Sequence, residues 1–405
     1  MRPDLRLEQS LARLLQRSGA LICTGPHRHN HRVMPTSRLE QMPSLAARLR
    51  AIINRDGPIS FHDWMQVALY DEREGYYCRS DRARWGCGGD YRTAPERSPL
   101  FARTFANYFM KSYFDLGAPS RWSIVEVGAG AGDFARGVLL SLQANYPNIF
   151  AATHYVIDEV SPDALAQARV KLAEFGDRVE FRRLAEITES FPQAIIFANE
   201  LIDAFPVHRV IGRNGNLREL RVSLSDSDEF IWVDEDLDAR VAEYCTRVQL
   251  ELAEGQSTEV NLTAEDFVSR AAALLDRGLL ITVDYGAERD ELLAAPHRFN
   301  GTLRSFRQHL MIDDVLANPG QQDLTATIDW TQIMAAGERS GLEILRFEPL
   351  DHFLSSEGLL AALSEMVTTN HDPVEAVRLT ASAREMIMPD GMASSFQVLV
   401  QRKCE

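Results

Sequence analysis

The sequence predicts a doubly wound α/β fold, a mostly parallel sheet with helices on both faces, and three observations predict it. First, a short apolar run (Ile124, Val125, Val127) empties into glycines at 128, 130 and 132. A helical pattern with Phe134, Val138, Leu139 and Leu142 follows. Strand, glycine turn and helix in that order open a nucleotide-type α/β unit. Second, strand-like runs at His154–Asp158, Val179–Phe181, Ala194–Ala198 and Leu279–Asp284 alternate with helical patterns, as parallel strands with crossover helices require. Third, polar residues gather just after these runs, where doubly wound sheets bind their ligands.

Taken in order, residues 1–42 form a leader set apart from the fold. It holds Arg2, Arg6, Arg13, Arg17, Arg28, Arg32 and Arg38 against Asp4, Glu8 and Glu40. It reads as disordered or dispensable, with Met34 or Met42 a candidate working start, or as a mitochondrial transit peptide. Residues 43–121 are expected to be a helical cap with a covering loop. Leu45, Leu49, Ile52 and Ile53 mark one helix, stopped by Gly57-Pro58. Phe61, Trp64, Met65 and Ala68 mark a second, and Leu100 to Asp115 a third. Gly86 to Pro99 has no apolar period and reads as a loop. Residues 122–405 make the sheet domain. Ser161-Pro162 starts a helix, the serine as cap and the proline in the first turn. An insertion at 205–277 carries its own strands (Leu217–Leu224, Phe230–Val233) and a helix near Leu237–Leu252. Glu343–Phe347 and Phe396–Gln401 are expected to form an antiparallel edge.

The chemistry follows from the loops. A dinucleotide fingerprint needs a last glycine where this chain has Asp133. Its acid also stands about 20 residues on, whereas here the carboxylate after the second strand, Glu159, lies 31 positions beyond Gly128. Glu159 is the candidate acceptor for ribose hydroxyls and Asp158 the alternative. Asn199, Glu200 and Asp203 crowd the end of the fourth strand, and a cationic substrate would give that crowding a reason. Glu126, at the head of the glycine motif, suits a cationic ligand.

Composition excludes several classes. The chain of 405 residues carries a net charge of -15 with 45% hydrophobic content, which argues against nonspecific nucleic-acid binding and permits a basic protein partner. Five cysteines (Cys23, Cys78, Cys87, Cys245, Cys404) are scattered without a C-x-x-C pair, so neither a metal site nor a disulfide framework is supported. No apolar run approaches the roughly 18 residues of a membrane span. A reducing compartment follows: bacterial-type cytoplasm, or the mitochondrial matrix if the leader is a transit peptide. The oligomeric state is left open, a homodimer being compatible.

The order Glu126-x-Gly128-x-Gly130-x-Gly132 resembles motif I of the class I S-adenosylmethionine methyltransferases. From about Ser44 onward the chain resembles one family of them, that of the mitochondrial complex I assembly methyltransferase and mitochondrial dysfunction protein A. The matching stretches are Gly75-Tyr76-Tyr77, Gly89-Asp90-Tyr91-x-Thr93-Ala94-Pro95-Glu96-x-Ser98, Glu126 to Gly132, and Ala198-Asn199-Glu200 to Asp203-Ala204-x-Pro206-Val207-His208. Downstream come Asp284-Tyr285-Gly286, Gly301-Thr302-Leu303-Arg304 with His309, and Pro319-Gly320-x-x-Asp323-Leu324-Thr325-Ala326. The resemblance implies a class I methyltransferase (Rossmann-like) fold, S-adenosylmethionine as cofactor, and a protein arginine of respiratory-complex type as acceptor. It implies cofactor binding by Gly128, Gly130, Gly132 and Glu159, with Thr93, Pro95 and Glu96 on a loop that closes over the cofactor. Catalysis falls to Glu200 and Asp203, with Asn199 beside them and Glu96 a further carboxylate. His208 reads as a packed histidine. The chain departs from the family at Ala102 and Arg103, where Gly-Glu is usual, at Thr327, where a histidine is usual, and at Ala131 and Asp133 in the glycine loop. These departures leave the fold untouched and bear on the acceptor and on activity. The alternatives are a small-molecule methyltransferase and a methyltransferase-like assembly chaperone without turnover.

Overall fold

A computed structural model describes residues 43–79, 98–307, 310–369, 372–388 and 391–404. The leader, Thr93, Pro95, Glu96 and His309 lie outside the described residues. The chain divides into two compact units. One comprises Thr263–Ala295, Thr325–Glu405 and the described part of Ser80–Phe205; the other comprises Pro206–Leu262, Pro296–Leu324 and the described chain up to Arg79.

The first unit is built on β1 (Trp122–Val127), β2 (Thr153–Asp158), β3 (Val179–Phe181), β4 (Ala194–Asn199), β5 (Gly278–Ala287), β6 (Leu342–Pro349) and β7 (Phe396–Lys403). They lie in the order 6-7-5-4-1-2-3, with a short strand, Ile328–Asp329, paired to the end of β5. The strands β3, β2, β1, β4 and β5 run parallel. The two late strands are expected to make an antiparallel edge. Only β7 is reversed: it sits between β5 and β6 and is antiparallel to both, which returns β6 to the direction of the rest.

Every residue of β1 is buried, as a strand covered on both faces demands. Ile124, Ile157, Ile195, Phe197, Ile281 and Val398 point to one face. There they meet α1 (Pro99–Asp115), α2 (Asp133–Asn145) and the helices within 350–387. Phe134 of α2 stacks on Phe197 with centroids 4.4 Å apart, and Phe105 of α1 sits edge-on to both. Val125, Val127, Val156, Ile196, Ala198 and Leu280 point to the other face, against α4 (Leu262–Leu274) and α5 (Trp330–Arg339), α3 being Pro162–Lys171. The expected cap is present at Ser161, which accepts from the first turn of α3 ahead of Pro162, and Ser98 caps α1 ahead of Pro99 in the same way, so that helix starts one residue earlier than expected.

The departure at Ala102 has a partner in this packing. A Cβ built on Gly137 of α2 would stand 2.5 Å from the Ala102 Cβ. The methyl on α1 therefore occupies the space that the glycine on α2 leaves. Arg103 pairs with Glu365 at 2.8 Å.

The second unit holds an antiparallel sheet of Ile59–Ser60, His208–Arg213, Asn216–Leu224, Phe230–Glu235 and Ser257–Val260. Asn214 and Gly215, both at positive φ, make the two-residue turn between its second and third strands. The structure differs from expectation on three boundaries. The helical N-terminal stretch contributes a strand, Ile59–Ser60, paired with Val222 and Arg221. The third helix expected in the cap, α1, packs in the sheet unit. The end of the expected insertion is α4, whose Ala264, Val268 and Ala271 are buried beneath the sheet; its apolar face commits it there. His208 packs as expected: its Nδ1 lies 2.8 Å from buried Glu219 and its ring stacks on His62.

Candidate active site

Parallel register decides which residues share the ligand-facing edge of the sheet. Val127 stands beside Asp158 on one side and Ala198 on the other, and Ala198 stands beside Thr282. One residue further on, the same row becomes Glu159, Gly128, Asn199 and Val283. Four separate stretches of sequence thus reach one edge because their strands end level.

The glycine loop leaves β1 with Gly128, Gly130 and Gly132 at φ of +74°, +55° and +80°, a region that side chains enter at a cost. A Cβ on Gly128 would meet Leu201 Cδ1 at 2.9 Å, and one on Gly132 would meet Ala168 Cβ at 3.1 Å. At Gly130 nothing among the described residues lies within 4 Å. Gly128 and Gly132 are thus held by packing, whereas the crest of the loop has no described neighbour at Gly130. The Gly128 and Ala129 amides donate to the Asp158 carbonyl.

The two acids after β2 have separate tasks. Glu159 Oε2 accepts the Gly130 N–H at 2.7 Å and Oε1 accepts the Ser161 N–H at 2.6 Å, tying the loop crest to the start of α3. Burial pushes its pKa up, against those two amides. Asp158 turns the other way, accepting the Leu184 N–H at 2.9 Å and pairing with Arg183. Glu126 is buried in the sheet, where Tyr155 donates its hydroxyl at 2.7 Å. Burial pushes the Glu126 carboxyl up to about 8, the nearby Glu159 and Asp133 adding to the effect and the tyrosine opposing it.

At the ends of β4 and β5 lies a second group. Glu200 adopts φ of +50° with its N–H bonded to the Val283 carbonyl; a non-glycine residue held there costs about 1–3 kcal/mol and marks sites where function dictates the backbone. Asn199 Nδ2 donates to Glu200 Oε1 at 3.2 Å. Asn199 Oδ1 is buried and has no hydrogen-bond partner among the described residues. Asp284 Oδ2 accepts the N–H groups of Ile202 and Asp203 at 3.0 and 3.2 Å. Tyr285 donates its hydroxyl to Asp203 Oδ2 at 2.8 Å. Burial pushes Asp203 up to about 6, Tyr285 opposing it, and pushes Asp284 well above the carboxylate range, helped by the Asp203 charge. Thr327 is flanked by Ala326, whose N–H donates to the Asp203 carbonyl, and by Ile328, which pairs with Gly286.

This edge fits a nucleoside bearing a cationic amino acid. An open loop crest, a carboxylate beside it and an orphaned buried amide oxygen at the neighbouring strand end supply space and acceptors together. Among the described residues no cluster of metal-ligating side chains occurs.

Fold and site together define a class I S-adenosylmethionine-dependent methyltransferase. The chain belongs to a family of S-adenosyl-L-methionine-dependent methyltransferases, whose profile matches residues 104–348. A Burkholderia thailandensis protein whose crystal structure holds S-adenosyl-homocysteine is 29% identical and superposes with a TM-score of 0.79, covering 92% of this chain and 95% of that one. "Protein arginine methyltransferase NDUFAF7 homolog, mitochondrial" from Drosophila melanogaster is 29% identical, over 74% of this chain and 71% of the relative. The human protein of that name is 24% identical, over 85% of this chain and 80% of the relative. No described helix is long and apolar enough to cross a membrane.

Two members of this group lie in a loop that the strand-end rule selects, Asp284–Gly286, without a role of their own in the sequence. Asp284 and Tyr285 are legible there as an acid and an aromatic after an apolar run, but nothing in the sequence joins them to Asp203.

Proposed function

We propose that this methyltransferase acts on an arginine side chain of a protein. The carrying observation is the acid group itself. Asp203 and Asp284 are buried side by side, and among the described residues neither is paired with an arginine or lysine. Buried carboxylates ordinarily have a cationic partner, and a guanidinium from outside would supply one. The names of the curated relatives support the same acceptor.

S-adenosylmethionine, when bound, supplies an electrophilic methyl on sulfur. The residues proposed to hold it are Gly128, Gly130, Gly132 and Glu159, with Glu126 beneath them; Thr93 and Pro95 remain proposed covering residues. Asp158 serves the fold by holding Leu184 and Arg183. Glu200 and Asn199 orient the guanidinium, whose planar fork matches a carboxylate bidentately. Orientation of this kind is where most of the rate enhancement arises when little covalent chemistry falls to the protein. A guanidinium is protonated up to about pH 12.5, so a methylated nitrogen carries one proton too many. Asp203, poised near 6, takes it in this proposal. Glu96 is proposed as a further carboxylate toward the substrate.

The test uses methyl-labelled S-adenosylmethionine and a protein extract from cells lacking this protein. Acid hydrolysis should recover label as methylarginine, and Glu200→Gln should abolish that label while S-adenosyl-homocysteine still binds. Label in a base-labile ester or a small molecule, or methylarginine unaffected by the substitution, would refute the proposal.

A further inference from the structure

Asp203 has to be charged when the acceptor's proton arrives, yet burial works against that charge. The backbone N–H groups of Ala204 and of Asp203 itself counter it, and so does one side chain, that of Tyr285. Tyr285 stands on β5, its backbone paired with Phe396 of β7 and its N–H donated to Asp284 Oδ1 at 2.9 Å. Its ring meets the Phe396 ring edge-on at 5.7 Å. With the backbone held by strand pairing and the ring against an aromatic wall, the hydroxyl donates to Asp203 Oδ2, and the Thr325 side chain also faces it.

We infer that Tyr285 is a positioning residue for the reaction: its hydroxyl fixes the orientation of the Asp203 carboxylate and keeps it charged, ready to receive the proton released by the acceptor. This rests on reading Asp203 as the proton acceptor.

The direction of the hydrogen bond is what gives the contact its effect. A phenol donating to a carboxylate stabilises the ionised form of the acid. Burial, with Asp203 and Asp284 beside it, holds the Tyr285 hydroxyl well above its ordinary value, so it stays a donor throughout the working range and cannot itself serve as the base. Asp284 holds the same turn by its backbone, through the Ile202 and Asp203 amides, so the turn is gripped on main chain and side chain from one strand. The titratable groups facing Asp203 are Tyr285 and Asp284 from β5, with Glu200 from the end of β4 acting on Asp284. The third segment beside it, at Ala326, contributes a backbone N–H to the Asp203 carbonyl.

The experiment is an infrared pH titration of the buried carboxylic acid C=O band in the full chain. Asp203→Asn identifies the band by removing it. In the wild type the band should fade with a midpoint near 6, and in Tyr285→Phe the midpoint should rise by about one unit. Should Tyr285→Phe fail to fold, 3-fluorotyrosine placed at position 285, a stronger donor of nearly the same shape, should lower the midpoint instead. An unchanged midpoint in both variants overturns the inference. A midpoint that moves as expected while methyl transfer survives Asp203→Asn upholds the Tyr285 contact and overturns Asp203 as proton acceptor, so the two failures are distinguishable.

Discussion

The crest of the glycine loop offers the sharpest separation of binding from folding. Gly130 lies at φ of +55° with no atom of the described residues within 4 Å of where a Cβ would stand. Replacing it with valine imposes a backbone strain of about 1–3 kcal/mol, and no described residue stands where its Cβ would be. In a unit of this size each kcal/mol lowers the melting temperature by about 2–4 °C, so Gly130→Val should melt a few degrees early and otherwise fold normally. The branch, however, fills the space where the cofactor approaches and lies next to the amide that donates to Glu159. Loss of S-adenosyl-homocysteine affinity by about a hundredfold, equivalent to about 2.7 kcal/mol, is expected by calorimetry. Gly130→Ala separates the two effects, since it carries the same kind of strain without the branch and should bind in between. Wild-type affinity in a folded Gly130→Val protein would refute the assignment of this loop to the cofactor. Equal losses in alanine and valine would place the effect in the backbone instead of the occupied volume.

Two further predictions concern the frame around the site. Gly137→Ala should destabilise by about 1–3 kcal/mol through its collision with Ala102, despite the helix propensity gain of about 1 kcal/mol; in an Ala102→Gly background the same change should stabilise, as denaturant titration of the double-mutant cycle would read. Glu126, held near 8 in the folded chain against 4.5 ordinarily, binds its proton more tightly folded than unfolded. Stability should therefore fall as pH rises from the ordinary value toward about 8, and Glu126→Gln should remove that component of the slope in unfolding midpoints measured across the range.

Local chemistry in the chain was enough for the elements and the loop. Ile124, Val125 and Val127 are apolar because a strand covered on both faces has no side turned to water, and Glu126 is the one charged residue among them. Ser161-Pro162 announces its helix by capping alone, and the spacing of Gly128, Gly130 and Gly132 announces a turn that a ligand can approach. Such features depend on residues within a few positions of one another. The crowding of Asn199, Glu200 and Asp203 was visible for the same reason.

Tertiary structure decided what depends on direction and on distant partners. Glu159 and Asp158 are neighbours in sequence, and side chains of successive residues leave an extended strand on opposite sides, so only the folded register sends one to the glycine loop and the other to Arg183. Tyr285 and Asp203 lie 82 positions apart, with a strand, a helix and much of a second compact unit between them. Ile59–Ser60 finds Val222 across a still longer interval, and a two-residue strand has no periodicity by which a sequence could declare it. The sequence by itself determined a doubly wound sheet carrying a glycine loop and an acid-rich strand end. Which acids face the ligand edge, and which tyrosine holds one of them, follow from parallel strands that end level, a geometry that exists only once the chain has closed on itself.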